Sequence, residues 1–204
     1  MHVAGLPAFV IGYHGTDRSI AEALFSGKEK DLIFSDNDYD WLGSGLYFWE
    51  NSWQRGLEWA TQFVGKKRKG GKVITEPAVV GAVIDLGHCL NLLDQQAIQL
   101  VQDRYSWLVA QCHANGTQLP KNENPDWMQD STDRIYRKLD CAVIRSIHDL
   151  IKDAGLPAYD SVRAVFLEGK PVYKDSGFLE KTHIQICVRK PERIIGYFRP
   201  RTGA

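Results

Sequence analysis

Apolar, strand-like runs lie at both ends of this chain, and a long helical stretch separates them. PAFVIGYHG, LYFW and VITEPAVVGAVIDLGHCLNLLD fall within the first 94 residues; VRAVFLEG, HIQICVR and ERIIGYF fall within the last 50. Between them the apolar residues recur at helical spacing. A sheet assembled from two distant pieces predicts one α+β domain over residues 1–204, with a helical insertion at about 93–157. No internal repeat or low-complexity tract argues for anything else.

Local signals fill in the elements. The run ending at Gly15 is followed by Thr16 and Asp17, helix-capping candidates for SIAEALFSG, whose end Gly27 marks. FSDNDYDWLGSGLYFW leads from turn-formers through a glycine pair into an aromatic strand. Trp53, Leu57, Ala60, Phe63 and Val64 then form the stripe of an amphipathic helix. In the insertion, Ile98, Val101, Tyr105, Leu108 and Val109 predict a helix stopping at Asn115-Gly116. Asp130 or Ser131 is expected to cap a second helix, which runs to about Ala154.

Composition removes several function classes. Lys+Arg and Asp+Glu both number 25, so no net charge holds the chain on a nucleic-acid backbone or an anionic membrane. The basic loop at Lys66–Lys72 reads as a solvated turn, or as a local contact for phosphate backbone. No apolar run reaches the roughly 20 residues a bilayer span needs, and MHVAGLPAFVIGYHG lacks a secretory signal, so a cytoplasmic location is expected. Cys89, Cys112, Cys141 and Cys187 are too scattered for a metal pair and read as buried thiols; the six histidines have no ligand spacing, so no metal is expected.

Three segments set a single polar residue among apolar strand residues. They are Tyr13-His14-Gly15-Thr16, Gly43-Ser44-Gly45-Leu46-Tyr47-Phe48 and His183-Ile184-Gln185-Ile186-Cys187-Val188, the first two beside glycines that allow close backbone approach. Singly, each has an ordinary reading: a structural histidine, a core tyrosine, a satisfied buried amide.

In order and context the segments resemble the ADP-ribosyltransferase superfamily, in its diphtheria-toxin and poly(ADP-ribose) polymerase-like branch, known for an H-Y-[EDQ] triad. The resemblance rests on H-G-T, on G-S-G-L-Y-F before a Trp- and Ala-bearing helix, on Gly81–Gly87 as G-x-V-x-L-G, and on the late strand with Gln185. It covers roughly residues 8–92 and 160–199 and leaves the helical stretch unmatched. It implies a split antiparallel sheet that holds NAD in a cleft between its halves. His14 would bond the adenosine ribose, the backbone of Gly15 would bracket the nicotinamide carboxamide, and Tyr47 would stack on its ring. Thr16 and Gly45 would line the cofactor. Trp53 or Trp59 would supply a second aromatic wall, with Trp59 nearer the place where the family often has a tyrosine.

The implied chemistry is cleavage of the nicotinamide–ribose bond through a transition state with positive charge on the ribose. Nicotinamide already leaves as a cation's neutral product, so no general acid is required. The third triad residue is usually a glutamate, and Gln185 supplies no charge. That departure disfavours chain elongation and favours transfer of a single ADP-ribose, with Glu168 or Glu180 the carboxylates able to supply charge. The resemblance thus implies a mono-ADP-ribosyltransferase acting on a protein, RNA or DNA acceptor. The small size suggests an intracellular bacterial or phage-related effector, such as a toxin of a toxin–antitoxin or phage-defence system with an antitoxin or immunity partner. The alternative is a catalytically silent NAD- or ADP-ribose-binding module. A relative of RNA 2′-phosphotransferases is disfavoured, since those rely on Arg and His where this chain has a tyrosine pocket.

Overall fold

A sheet needs one strand that can pair on both sides, and the eight residues of β1 (Val10–Asp17) supply it. β1 runs straight into helix α1 (Arg18–Phe25), then come β2 (Leu46–Glu50), helix α2 (Trp53–Gln62), β3 (Pro77–Ile84) and β4 (Cys89–Asn91). Helix α3 (Gln95–Ala114), a hairpin of β5 (Asn122–Glu123) and β6 (Tyr136–Arg137), and helix α4 (Lys138–Asp153) form the insertion. β7 (Ser161–Phe166), β8 (His183–Val188) and β9 (Ile194–Phe198) complete the chain. This computed structural model describes residues 9–66, 73–124, 128 and 133–201.

Seven strands form one sheet in the order β4-β7-β8-β2-β1-β3-β9. All neighbours are antiparallel except β4 and β7, so the expected antiparallel sheet is mixed at one edge. The parallel pair arises because the whole insertion lies between those strands and carries the chain back to the starting end. The architecture is therefore α+β, with a large, mostly antiparallel sheet and, among the described residues, four α-helices.

Side-chain alternation divides the apolar residues between two cores. Leu46, Phe48, Val80, Ala82, Ile84, Ile186 and Val188 face α1 and meet its Ala21 and Leu24. Leu42, Leu90, Val162, Ala164, Phe166 and Cys187 face α4 and meet its Ile144 and Ile147. Full burial of each large aliphatic side chain here contributes about 2 kcal/mol.

The insertion departs from its expected form. The second helix begins at Lys138, with Arg137 as its N-cap and no side-chain cap bond; Asp130 and Ser131 lie outside the described residues. Helix α3 has the expected length but a different buried side. Ile98, Tyr105 and Val109 are exposed, whereas Ala97, Leu100 and Val101 pack on the second core and Arg104 is buried. The period was legible and its phase was not, because Arg104 lays its guanidinium over the Trp107 ring at 3.8 Å and its Nε 3.4 Å from Ser146 Oγ. Helix α2 buries Gly56 and Ala60, while Trp53 and Leu57 of the expected stripe line an open groove and Val64 is exposed. Cys141 and Cys187 are buried as expected; Cys89 and Cys112 are half-buried, and none is disulfide-bonded. Residues 67–72 of the basic loop lie outside the described residues. Among the described residues no helix is long and apolar enough to cross a membrane.

Asp17 ties β1, α1 and the start of β3 together. Its carboxylate accepts from the Ser19 backbone and hydroxyl at 2.9 and 2.6 Å, from the Thr75 backbone and hydroxyl at 2.7 and 2.9 Å, and from Glu76 N at 3.1 Å. The Ser19 hydroxyl leads the groups that hold its carboxyl well below the usual carboxylate range, against the opposing effect of burial. A depressed folded-state pKa stabilises the fold above the unfolded value of about 3.9 and loses that stabilisation as pH falls below it. Asp17→Ala should therefore cost about 2 kcal/mol at neutral pH. In urea melts at neutral pH and near pH 2, the gap between wild type and variant should narrow at the acid end without closing, because the folded carboxyl titrates lower still; an equal gap at both would refute the assignment.

Candidate functional site

The site begins where the sheet is weakest. β1 pairs with β3 over eight residues, from Val10↔Ile84 to Asp17↔Pro77, but with β2 only at Gly12↔Glu50 and Tyr13↔Trp49. Past Tyr13 the two central strands part. His14 stands at the fork, where its Nδ1 donates to the Tyr47 carbonyl at 2.7 Å and its ring meets Phe48 edge-on at 5.9 Å. An imidazole thus takes a hydrogen bond that a continuous ladder would have given to backbone.

Sequence reasoning gave Gly15 and Gly45 to the cofactor, and the packing gives each a partner in the protein. A Cβ on Gly15 would lie 2.0 Å from the Gly56 carbonyl oxygen, so the bare Cα is what lets α2 cross the sheet. A Cβ on Gly45 would meet Cys187 Sγ at 2.4 Å and the Val188 carbonyl at 2.7 Å. Thr16 is buried beside them.

Tyr47 packs its ring against the second core. Its hydroxyl donates to the Gly43 carbonyl at 2.6 Å and accepts from Leu42 N at 3.1 Å, and burial raises its pKa well above the ordinary value. Tyr47 therefore supports the turn before β2, a structural role that the sequence pattern did not reveal. Its cross-strand partner on β8 is Cys187, and Gln185 stands opposite Trp49 and Ala164, so Tyr47, Trp49, Gln185 and His183 share the α4 face. His14 stands opposite Val80 and leaves the sheet on the α1 face. A ligand touching all three triad candidates must pass through the fork, since their side chains leave on opposite faces.

On the α4 face the structure gathers residues that the sequence left scattered. Gln185, 5% exposed, accepts through Oε1 from Trp41 Nε1 at 2.7 Å. Trp41 stacks on Phe166 at 4.2 Å, and the Arg137 guanidinium lies over Trp41 at 4.5 Å. Glu168, just past β7, is clasped between Arg55 Nη2 at 3.3 Å and Arg137 Nη2 at 3.7 Å. Burial pushes its carboxyl above the ordinary value despite both guanidiniums. Glu180 instead lies exposed and accepts from Lys170 N. Of the two acidic candidates, Glu168 is the one beside Gln185's strand.

His183 donates from Nδ1 to the Lys181 carbonyl at 2.6 Å, which leaves Nε2 as a lone-pair acceptor. Burial, the chief cause, lowers its pKa to about 4, so the ring is neutral at physiological pH. His183 Nε2, Trp49 Nε1 and Arg55 Nε are all buried without a hydrogen-bond partner among the described residues. One is an acceptor and two are donors, the complement of a ligand that both gives and takes hydrogen bonds, such as a sugar diol or a carboxamide. Trp59 lies 5.9 Å from Trp49 and 4.9 Å from Phe63. On the outer side of α2, Trp53, Leu57, Glu58 and Lys181 line an open groove of about 530 Å³. Among the described residues no group of His, Cys, Asp and Glu is placed to hold a metal ion.

Comparison with known proteins adds one short similarity. A 38-residue segment, 19% of this chain, is 50% identical to part of an uncharacterized protein of Methanocaldococcus jannaschii, and the match spans 17% of that protein. No family model matches the chain, and no solved structure matches it.

The clasp around Glu168 makes a stability prediction. Removing the carboxylate leaves two largely buried guanidiniums facing one another, so Glu168→Ala should cost about 3 kcal/mol. Adding Arg55→Ala to that variant should recover part of the loss, giving a coupling energy of about 1 kcal/mol or more. Urea denaturation of the four proteins in this cycle measures it, and strict additivity would contradict the clasp.

Proposed function

We propose that the protein is an NAD-dependent mono-ADP-ribosyltransferase with an ADP-ribosyltransferase-like fold, in which the parting of β1 and β2 forms the cofactor cleft. The observation that carries this reading is the coincidence of that fork, with His14 at its edge, and the set of unpartnered polar atoms next to Gln185 on the strands beyond it. NAD offers what those atoms lack: ribose hydroxyls for His183 Nε2, and oxygen acceptors for Trp49 Nε1 and Arg55 Nε.

In this reading the chain holds the cofactor while the bond between nicotinamide and ribose breaks, and ADP-ribose passes to a protein, RNA or DNA acceptor. Gln185 fixes a ribose hydroxyl, and Glu168 supplies the negative charge that a glutamine cannot. That charge favours the electron-poor ribose of the transition state. The chain is then an intracellular effector, and a toxin restrained by an antitoxin or immunity partner fits its activity. The competing reading is an NAD- or ADP-ribose-binding module without turnover. It is favoured by Gln185 already serving the Trp41 indole and by Glu168 already serving two arginines.

Nicotinamide release from NAD by the purified protein separates the two. His14→Ala and Gln185→Ala should each lower release at least about tenfold, the loss of a good hydrogen bond, while Gln185→Glu retains or raises it. Tyr47→Phe should keep release but lose about 1 kcal/mol of stability with its hydroxyl bonds, and Tyr47→Ala should cost more by opening the second core. Melting curves recorded alongside show whether each effect is chemical. No release by wild type, with NAD still bound, would leave the silent module standing. Labelled NAD in a cell lysate, followed by protease or nuclease digestion, identifies the acceptor class.

A further inference from the structure

A second group of unpartnered atoms lies away from the fork. Arg145 Nε, Arg189 Nε and both ring nitrogens of His148 are buried and have no hydrogen-bond partner among the described residues. All three side chains line one pocket of about 260 Å³, together with Asp36, Ser44 and Asp149. Each buried donor left unpaired costs about 1–3 kcal/mol, so several around one hollow mark a place where a partner belongs.

The pocket is built from three elements. Arg145, His148 and Asp149 stand three and four residues apart on α4 and so share one face of it. Arg189 immediately follows β8, and Asp36 and Ser44 come from the segment leading into β2. The guanidiniums are anchored from behind. Arg145 Nη2 donates to Asp36 Oδ1 at 2.7 Å, to the Asn37 carbonyl at 3.0 Å and to Ser44 Oγ at 3.3 Å. Arg189 Nη1 donates to the Tyr159 carbonyl at 3.2 Å. Ser44 Oγ also donates to Asp36 Oδ1 at 2.5 Å, so Asp36 is committed to holding this wall.

We propose that this pocket is a second ligand site, which binds a phosphate group through Arg145, Arg189 and His148. Two guanidiniums and an imidazole N–H, two of them from one face of α4 and the third from the end of β8, suit a tetrahedral oxyanion, whose oxygens accept in several directions, better than a planar carboxylate. Burial, aided by the positive charge of Arg189, keeps His148 neutral, with a pKa lowered to about 3. A neutral imidazole brings one donor and one acceptor, and the acceptor suits the hydroxyl of a singly protonated phosphate. Two exposed carboxylates of the lining, Asp36 and Asp149, would oppose the anion; Asp36 is paired with Arg145 at 2.7 Å, which leaves Asp149 as the one to neutralise. Free inorganic phosphate and the terminal monoester of a nucleotide share this chemistry and are the two sources of such a group. The site stands independently of the NAD reading, because its residues take no part in the fork.

The test is calorimetric titration at constant ionic strength with inorganic phosphate and, separately, with a nucleoside 5′-monophosphate. Saturable one-site binding is expected for at least one of them, with movement of the His148 ring-nitrogen NMR signals and none at His183. Binding of inorganic phosphate identifies the free ion as sufficient, and binding of the monophosphate alone assigns the site to a nucleotide end. Arg189→Gln should weaken binding at least about tenfold, the loss of a charge-assisted hydrogen bond, and Asp149→Asn should tighten it. If Arg189→Gln melts early, Arg145→Gln carries the same expectation. Absence of saturable binding by both ligands in wild type, or variants that bind like wild type, overturns the proposal.

Discussion

The hydrogen bond from His14 Nδ1 to the Tyr47 carbonyl is the contact around which the rest is arranged. It closes the ladder at the point where β1 and β2 part, and so allows a sheet to carry a fork at its centre without orphaning that carbonyl. Helix α2 can cross on one side only because Gly15 has no side chain to meet the Gly56 carbonyl. Beyond the fork, β2 continues with β8 and β1 continues with β3, so each half of the sheet keeps its own partner strand, while the core on the α1 face spans both halves.

The charges are spent locally. Lys+Arg and Asp+Glu balance at 25 each, and the pairs with the least exposed side chains sit at joints between elements. Arg163 bridges β7 to Glu50 at the end of β2 through Nε at 2.5 Å and Nη2 at 2.9 Å. Asp160 takes Lys190 and Arg193 together, at 2.5 and 2.6 Å, and so holds the turn before β9 against the start of β7. Glu168 differs from these, since its carboxylate lies between two guanidiniums beside three polar atoms that have no hydrogen-bond partner among the described residues. Buried ion pairs offset their desolvation only with good geometry and complete hydrogen bonding. The incompleteness at Glu168 is what separates a candidate site from a structural joint.

Much of the local reading of the first 94 residues carried through. Asp17 caps α1, and the run after residue 73 divides into β3 and β4. These are decisions of short range, made by capping chemistry and alternation within a few residues. On β8 the alternation of a strand sets Gln185 on one face with His183 and Cys187. Arg55, Arg137 and Trp41 carried no such mark. Arg55 reads as the polar side of an amphipathic helix, and Arg137 precedes a helix whose start the expected cap would have put several residues earlier.

Periodicity and turn chemistry thus determined, from the amino-acid sequence by itself, an α+β chain with strands at both ends, helices between them and three polar residues set into apolar strands. Only the tertiary structure decided which strands neighbour one another, where β1 leaves β2, and which face each polar side chain takes. It also decided that Glu168, rather than Glu180, joins the cluster by Gln185. The reason is physical: a period specifies a residue's side of its own element, whereas burial of a carboxylate between two arginines depends on elements more than 100 residues apart in the chain meeting at one point.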